Sequence, residues 1–174
     1  GIPDFSLGKC IENIAVSTSF IDLVISLPSC SRILVSGSCR EYGFKDSVCS
    51  ETDASVSVDN LSWAKNTIRD YLKFRADEAS IEYAWIRLFY VYGPCQRPES
   101  LLPAVLSSLR KTRSLPNLSN AFAWHDYVHV SDVVEFLRRT IDVTEFKSGI
   151  YNVGSGKLTC VATICNLALT NFSK

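Results

Sequence analysis

The sequence predicts an α/β fold built on a parallel sheet. Two short runs, Ile33-Leu34-Val35-Ser36 and Tyr83-Ala84-Trp85-Ile86-Arg87-Leu88, are almost continuously apolar and β-rich, as strands buried on both faces are. Each follows a long helical pattern, over 5–27 and 61–79, and a parallel connection needs a crossover of that kind. With 174 residues, 47% hydrophobic and 21% charged, the chain has the composition of a single soluble globular unit, which excludes disorder and collagen-like order.

From Phe5 to Leu27 the apolar positions Ile11, Ile14, Val16, Phe20, Ile21, Leu23, Val24, Ile25 and Leu27 occupy most of a helical wheel, and Pro28 ends the pattern. Such a helix must be covered on two sides. The strand Ile33–Ser36 runs into Gly37-Ser38, where a functional loop at the carboxyl end of a parallel strand is expected. A polar stretch from Lys45 to Asp59 follows, and Asp59 or Asn60 can cap a helix over Leu61–Ala79. The strand Tyr83–Leu88 is stopped by Gly93-Pro94. A helix over Ser100–Lys111, a β segment over Trp124–Val130, a helix over Ser131–Ile141, a strand over Ile150–Val153 and a helix from Thr159 complete the order. There is no internal repeat, low-complexity tract or linker, so the chain reads as one unit.

Eighteen Lys+Arg balance eighteen Asp+Glu, and no basic run supplies a local positive field, so nucleic acid is not an expected partner. The apolar stretches break well before the roughly 18 residues that a membrane helix needs, and no leader pattern opens the chain, so a cytoplasmic protein is expected. Gly1 and the lack of any Met suggest that this is not the natural start. Seven cysteines, an odd number without a C-x-x-C pair, read as reduced and partly buried thiols rather than a disulfide framework or zinc knuckle. His125 and His129 sit in a strand pattern, where four residues span about 13 Å, too far for two imidazoles to share an ion. No metal site is expected.

Four blocks carry the chemistry: Ser36-Gly37-Ser38-Cys39-Arg40-Glu41-Tyr42-Gly43 after the first strand, Arg87-Leu88-Phe89-Tyr90-Val91-Tyr92-Gly93-Pro94, His125-Asp126-Tyr127-Val128-His129-Val130-Ser131-Asp132-Val133, and Tyr151-Asn152-Val153-Gly154-Ser155-Gly156. In order and spacing they resemble the extended short-chain dehydrogenase/reductases of the NAD-dependent epimerase/dehydratase family, whose blocks read S-S-x-x-x-Y-G, R-x-F-N-x-Y-G-P, R-D-Y-V-H-V-x-D-V and Y-N-(I/V)-G-S-G. The resemblance spans nearly all of the chain. It implies a Rossmann-like parallel sheet, N-terminally incomplete, with residues 1–89 as its later part. Residues 90–174 then form mostly a smaller substrate-binding part, with elements that return to the sheet. The family's Gly-rich turn, which packs against the cofactor pyrophosphate, is not among these residues. Gly154-Ser155-Gly156 does not replace it, because Thr159 stands where a third glycine belongs; it reads as a strand-to-helix turn with Thr159 as N-cap.

The resemblance implies an NAD or NADP cofactor, a nucleotide-sugar substrate and a homodimer. Family chemistry uses a Ser and a Tyr-x-x-x-Lys helix, in which the Lys charge lowers the phenol pKa for proton exchange with a sugar hydroxyl. Carried over residue by residue, it implies catalytic roles for Ser38 and Lys65. Ser36, Gly37, Lys65 and Leu88 would lie against cofactor, and Phe89, Tyr90, Arg97 and His125 against substrate. Read without the family, Ser38 bonds backbone at a strand end and Lys65 lies along a helix surface; Arg97 meets a diphosphate or solvent. Three positions depart from the pattern: Leu61 for the Tyr, Tyr90 for the Asn and His125 for an Arg directed at the diphosphate. Leu61 carries no exchangeable proton, and Tyr42, Tyr90 and Tyr92 are the candidate stand-ins. Two functions therefore stand open: an NAD(P)-dependent epimerase, dehydratase or reductase acting on a nucleotide-linked sugar, and a non-catalytic relative serving as a sugar-nucleotide-binding or dimeric interaction protein.

Overall fold

A computed structural model describes residues 4–45 and 47–172. In chain order the elements are α1 (Leu7–Ile25), β1 (Arg32–Ser38), a 3₁₀ turn (Cys39–Tyr42), α2 (Asn60–Ala79), β2 (Glu82–Leu88), β3 (Tyr90–Tyr92), α3 (Leu101–Thr112), β4 (Trp124–His129), α4 (Val130–Asp142), β5 (Gly149–Val153), β6 (Leu158–Cys160) and α5 (Val161–Phe172). They divide into two compact units, a sheet unit of residues 4–88 with 136–153 and a second unit of residues 89–135 with 154–172.

In the sheet unit β1, β2 and β5 form a fully parallel sheet in the order β1-β2-β5. Five central residues of β2, Tyr83 to Arg87, are buried, as a strand flanked on both sides requires. Ile21 and Ile25 of α1 and Ile68, Leu72 and Ala76 of α2 close over Ile33, Tyr83 and Trp85 to form the core. α2 begins where Asp59 accepts the Ser62 N–H at 2.7 Å, the N-cap expected at this position. Arg32, at the start of β1, donates to Glu82 at 2.8 Å and to carbonyls at the end of α4, where a cation complements the helix dipole. Register places Ser38 beside Leu88 and Leu88 beside Val153, so three strands end together at one edge of the sheet.

Only one side of the α1/α2 layer is covered. Val16, Phe20, Leu23 and Phe74 remain 59–70% exposed, and Leu27 and Trp63 are also exposed, so the two-sided apolar pattern of α1 has no second cover among the described residues.

In the second unit β3 pairs parallel with β4, and β4 pairs antiparallel with β6. Val105 and Leu109 of α3 pack on Val161 and Cys165 of α5. The expected helix from Thr159 is corrected here: Thr159 lies in β6 opposite His125, and α5 starts at Val161. The Val161 and Ala162 N–H groups donate to the carbonyls of Ala123 and Ala121, so backbone satisfies the first donors of α5 and no side-chain cap at 159 is needed. β3 and β6, three residues each, are not marked by any alternation in the sequence. Of the polar stretch expected over 45–59, Asp46 lies outside the described residues.

Candidate functional site

The edge where the parallel strands end carries Ser36, Gly37, Ser38 and Lys65. Capped at Asp59, α2 directs Lys65 toward β1, where its Nζ donates to the Ser36 carbonyl at 2.6 Å and stands 6.0 Å from the centre of the Trp85 ring. Burial pushes the Lys65 ammonium below its ordinary range, and the negative charge of Glu41 opposes that shift. Leu61 lies one helical turn earlier, half-buried and aliphatic.

Beneath Gly37 is a network the sequence did not announce. The Glu41 carboxylate is fully buried and accepts the Ser38 N–H at 2.8 Å, the Trp85 indole N–H at 3.0 Å and the Arg87 Nε–H at 2.9 Å, with Arg69 at 3.4 Å. Arg87 also donates to Ser55. The Ser38 hydroxyl caps the 3₁₀ turn by accepting the Arg40 N–H at 3.2 Å. A Cβ on Gly37 would press into the Trp85 ring and stand 2.6 Å from Glu41 Oε1, so only glycine fits between Ser36 and Ser38. Tyr42, one of the three stand-ins, is buried over the Arg87 guanidinium at 4.3 Å and gives its hydroxyl proton to Asn152 Oδ1 at 2.7 Å. Leu88 closes β2 between Ser38 and Val153.

The second unit holds a cavity of about 380 Å³ lined by Tyr90, Gln96, Asn120, His125 and Tyr127 among others. The Tyr90 and His125 rings stack with centroids 3.9 Å apart and planes 21° from parallel, and Tyr127 stands edge-on to His125 at 5.9 Å. Burial holds the His125 imidazole below its ordinary range and pushes the Tyr127 phenol up to about 12. Gln96 donates to the Val91 carbonyl at 3.2 Å, while its buried Oε1 has no hydrogen-bond partner. Of the other predicted substrate residues, Phe89 packs close to Gly154, and Arg97 is exposed on the turn before α3, outside the cavity lining. Tyr92, the remaining stand-in, stands edge-on to His129. Gln96, Asn120 and Tyr127 were not singled out from sequence; Tyr127 alone lay in a quoted block.

The Gly154-Ser155-Gly156 turn already holds an anion of the chain's own. Asp126 accepts from the Ser155 N–H at 2.7 Å and the Gly156 N–H at 2.9 Å, so the backbone donors that resemble a phosphate cradle are occupied by a carboxylate. For a dinucleotide, the strand-end residues and Lys65 fit the ring-and-ribose half, because a half-buried amine stands at the carboxyl ends of parallel strands. No second glycine-rich cradle for a pyrophosphate is present among the described residues.

Known proteins share the fold. The sequence profile of the NAD dependent epimerase/dehydratase family matches residues 8–154. The chain is 25% identical over 152 residues to the dTDP-4-dehydro-6-deoxyglucose reductase of Escherichia coli, a match covering 85% of this chain and 48% of the relative. It superposes on UDP-glucuronic acid 4-epimerase from Bacillus cereus, in complex with UDP-glucuronic acid and NAD, with a TM-score of 0.85 at 16% identity, over 93% of this chain and 52% of that one. With TunA, an NAD dependent NDP-hexosamine 5,6-dehydratase involved in tunicamycin biosynthesis, the TM-score is 0.84 at 21% identity, over 95% and 55%. The chain thus spans about half the length of these proteins. With its four motif blocks, its parallel sheet and a family match over most of its length, the chain belongs to the NAD dependent epimerase/dehydratase family.

Proposed function

We infer that the whole protein of which this chain forms part acts on a nucleotide-linked sugar with an NAD(P) cofactor, as an epimerase, dehydratase or reductase of low turnover. The observation that carries this reading is the half-buried Lys65 amine at 2.6 Å from the Ser36 carbonyl, two residues from Ser38 at the carboxyl end of a parallel strand. Bound NAD(P) supplies the hydride acceptor or donor. The chain's own residues would do the rest: the Ser38 hydroxyl polarises the sugar oxygen by hydrogen bonding, and Lys65 holds the ribose and keeps positive charge at the site. Taken by itself, the second unit offers a flat surface in the Tyr90–His125 stack and a vacant acceptor in the Gln96 side-chain carbonyl oxygen. Seven free thiols support a reducing, cytoplasmic setting. No helix of the described residues is long and apolar enough to cross a membrane.

The step least provided for is proton exchange, because Leu61 replaces the phenol and Tyr42 is committed to Asn152. A general acid or base is worth about 10²–10⁴ in rate. That deficit favours a second reading, a sugar-nucleotide-binding protein without turnover. The exposed apolar face of α1 and α2 supports a homodimer in either case. Leu61→Tyr in the whole protein separates the two readings, with cofactor reduction followed over a panel of UDP- and dTDP-hexoses. A rise toward 10²-fold or more is expected if Ser38 and Lys65 are poised to use the phenol. No rise, with both ligands still bound, leaves only the second reading.

A further inference from the structure

Resting on the roles assigned above to Ser38 and Lys65, we propose that Glu41 is a positioning residue that fixes the strand end carrying both groups. Four donors converge on its carboxylate from three elements. The Ser38 N–H comes from the end of β1 at 2.8 Å, Trp85 and Arg87 reach in from β2 at 3.0 and 2.9 Å, and Arg69 approaches from α2 at 3.4 Å. The carboxylate and the indole fill the space that a side chain at residue 37 would take, so the backbone between Ser36 and Ser38 is clamped from below. Ser36 offers its carbonyl to Lys65, and Ser38 carries the candidate hydroxyl.

The Ser38–Glu41 contact completes a capping box of the 3₁₀ turn, whereas the buried ion pair with Arg87 seldom stabilises a fold more than apolar residues of the same volume would. What it does supply is a fixed geometry and a fixed negative charge near Lys65. The charged groups paired with Glu41 are Arg69 on α2 and Arg87 on β2, both cationic, and Glu41 is the anion whose charge favours the Lys65 ammonium. Removing that charge lowers the pH at which Lys65 loses its proton, whereas a residue that only packs leaves that pH unchanged.

The test uses the 174-residue chain itself. Hydrogen exchange at the Ser38 amide is followed by NMR, and the pH midpoint of Lys65 acylation is followed by mass spectrometry, in wild type, Glu41→Gln and Glu41→Asp. In wild type the Ser38 amide is expected to exchange far more slowly than an open loop amide. Glu41→Gln should speed it by about tenfold or more, since a charge-assisted hydrogen bond becomes a weaker neutral one, and should lower the Lys65 midpoint. Glu41→Asp, which keeps the charge on a shorter arm, should loosen the amide yet return the Lys65 midpoint toward wild type. An unchanged Ser38 rate or an unchanged Lys65 midpoint in folded Glu41→Gln overturns the proposal. Should that variant not fold, a wild-type Ser38 amide exchanging like an open loop overturns it equally. Neither readout involves a ligand, so a failure to bind nucleotide sugars would sink the functional reading and leave these measurements to be judged by themselves.

Discussion

Gly37 shows how tightly single residues are held at the strand end. Its missing Cβ is the space into which Trp85 and Glu41 close, and β1 cannot give way while paired to β2 through Gly37 and Ser38. Gly37→Ala is therefore expected to cost about 1–3 kcal/mol through overpacking, read as a lower urea midpoint with unchanged slope. An alanine variant as stable as wild type would mean that Trp85 and Glu41 move aside. At this scale the positions of Ser38 after a strand and of Lys65 on the following helix were legible in the sequence, because local patterns mark both elements. Glu41 stood in the same motif and was passed over, since its burial depends on Trp85 and Arg87, 44 and 46 positions away, folding onto it. The Asp126 contacts to Ser155 and Gly156 were hidden for the same reason, although both partners lay in recognised blocks.

Among the elements, the long helices and the parallel strands were legible because periodicity and apolar runs mark them within one segment. Asp59 could be read as a cap because its partner, Ser62, lies in the same turn. β3, β6 and the start of α5 were not legible: three-residue strands bury too little to leave a pattern, and α5 takes its first acceptors from Ala121 and Ala123, forty residues upstream. α1 and α2 carry the prediction that belongs here. Ile21, Ile25, Ile68 and Leu72 face the sheet, while Val16, Phe20, Leu23 and Phe74 form an apolar surface facing outward. Light scattering at micromolar concentration is expected to give a dimer, and Phe20→Glu with Phe74→Glu is expected to give a folded monomer, because a buried unpaired charge is far costlier than an exposed one. A monomeric wild type, or a dimer that survives both substitutions, would contradict the assignment of this face.

For the whole molecule, the family and its fold follow from residues 8–154, while the chain spans about half the length of its relatives. The described residues supply Lys65 and a strand end, and the glycine turn that resembles a phosphate cradle is filled by Asp126. Calorimetric titration of this chain with NAD(H) is therefore expected to give weak binding or none; micromolar affinity would place a pyrophosphate site where no cradle has been identified. Within the second unit, His125 gives the nucleotide-sugar reading a sign. Burial disfavours the imidazolium, so the ring is neutral near pH 7 and a bound diphosphate must draw a proton onto it. The most direct measurement is calorimetric titration of the chain with UDP-glucose and dTDP-glucose at two pH values on either side of about 6.5, the ordinary imidazole pKa. The account predicts measurable binding that tightens as pH falls, with the pH dependence abolished in His125→Asn. Absence of binding to both nucleotide sugars by the folded chain at either pH, or binding indifferent to His125, would contradict it.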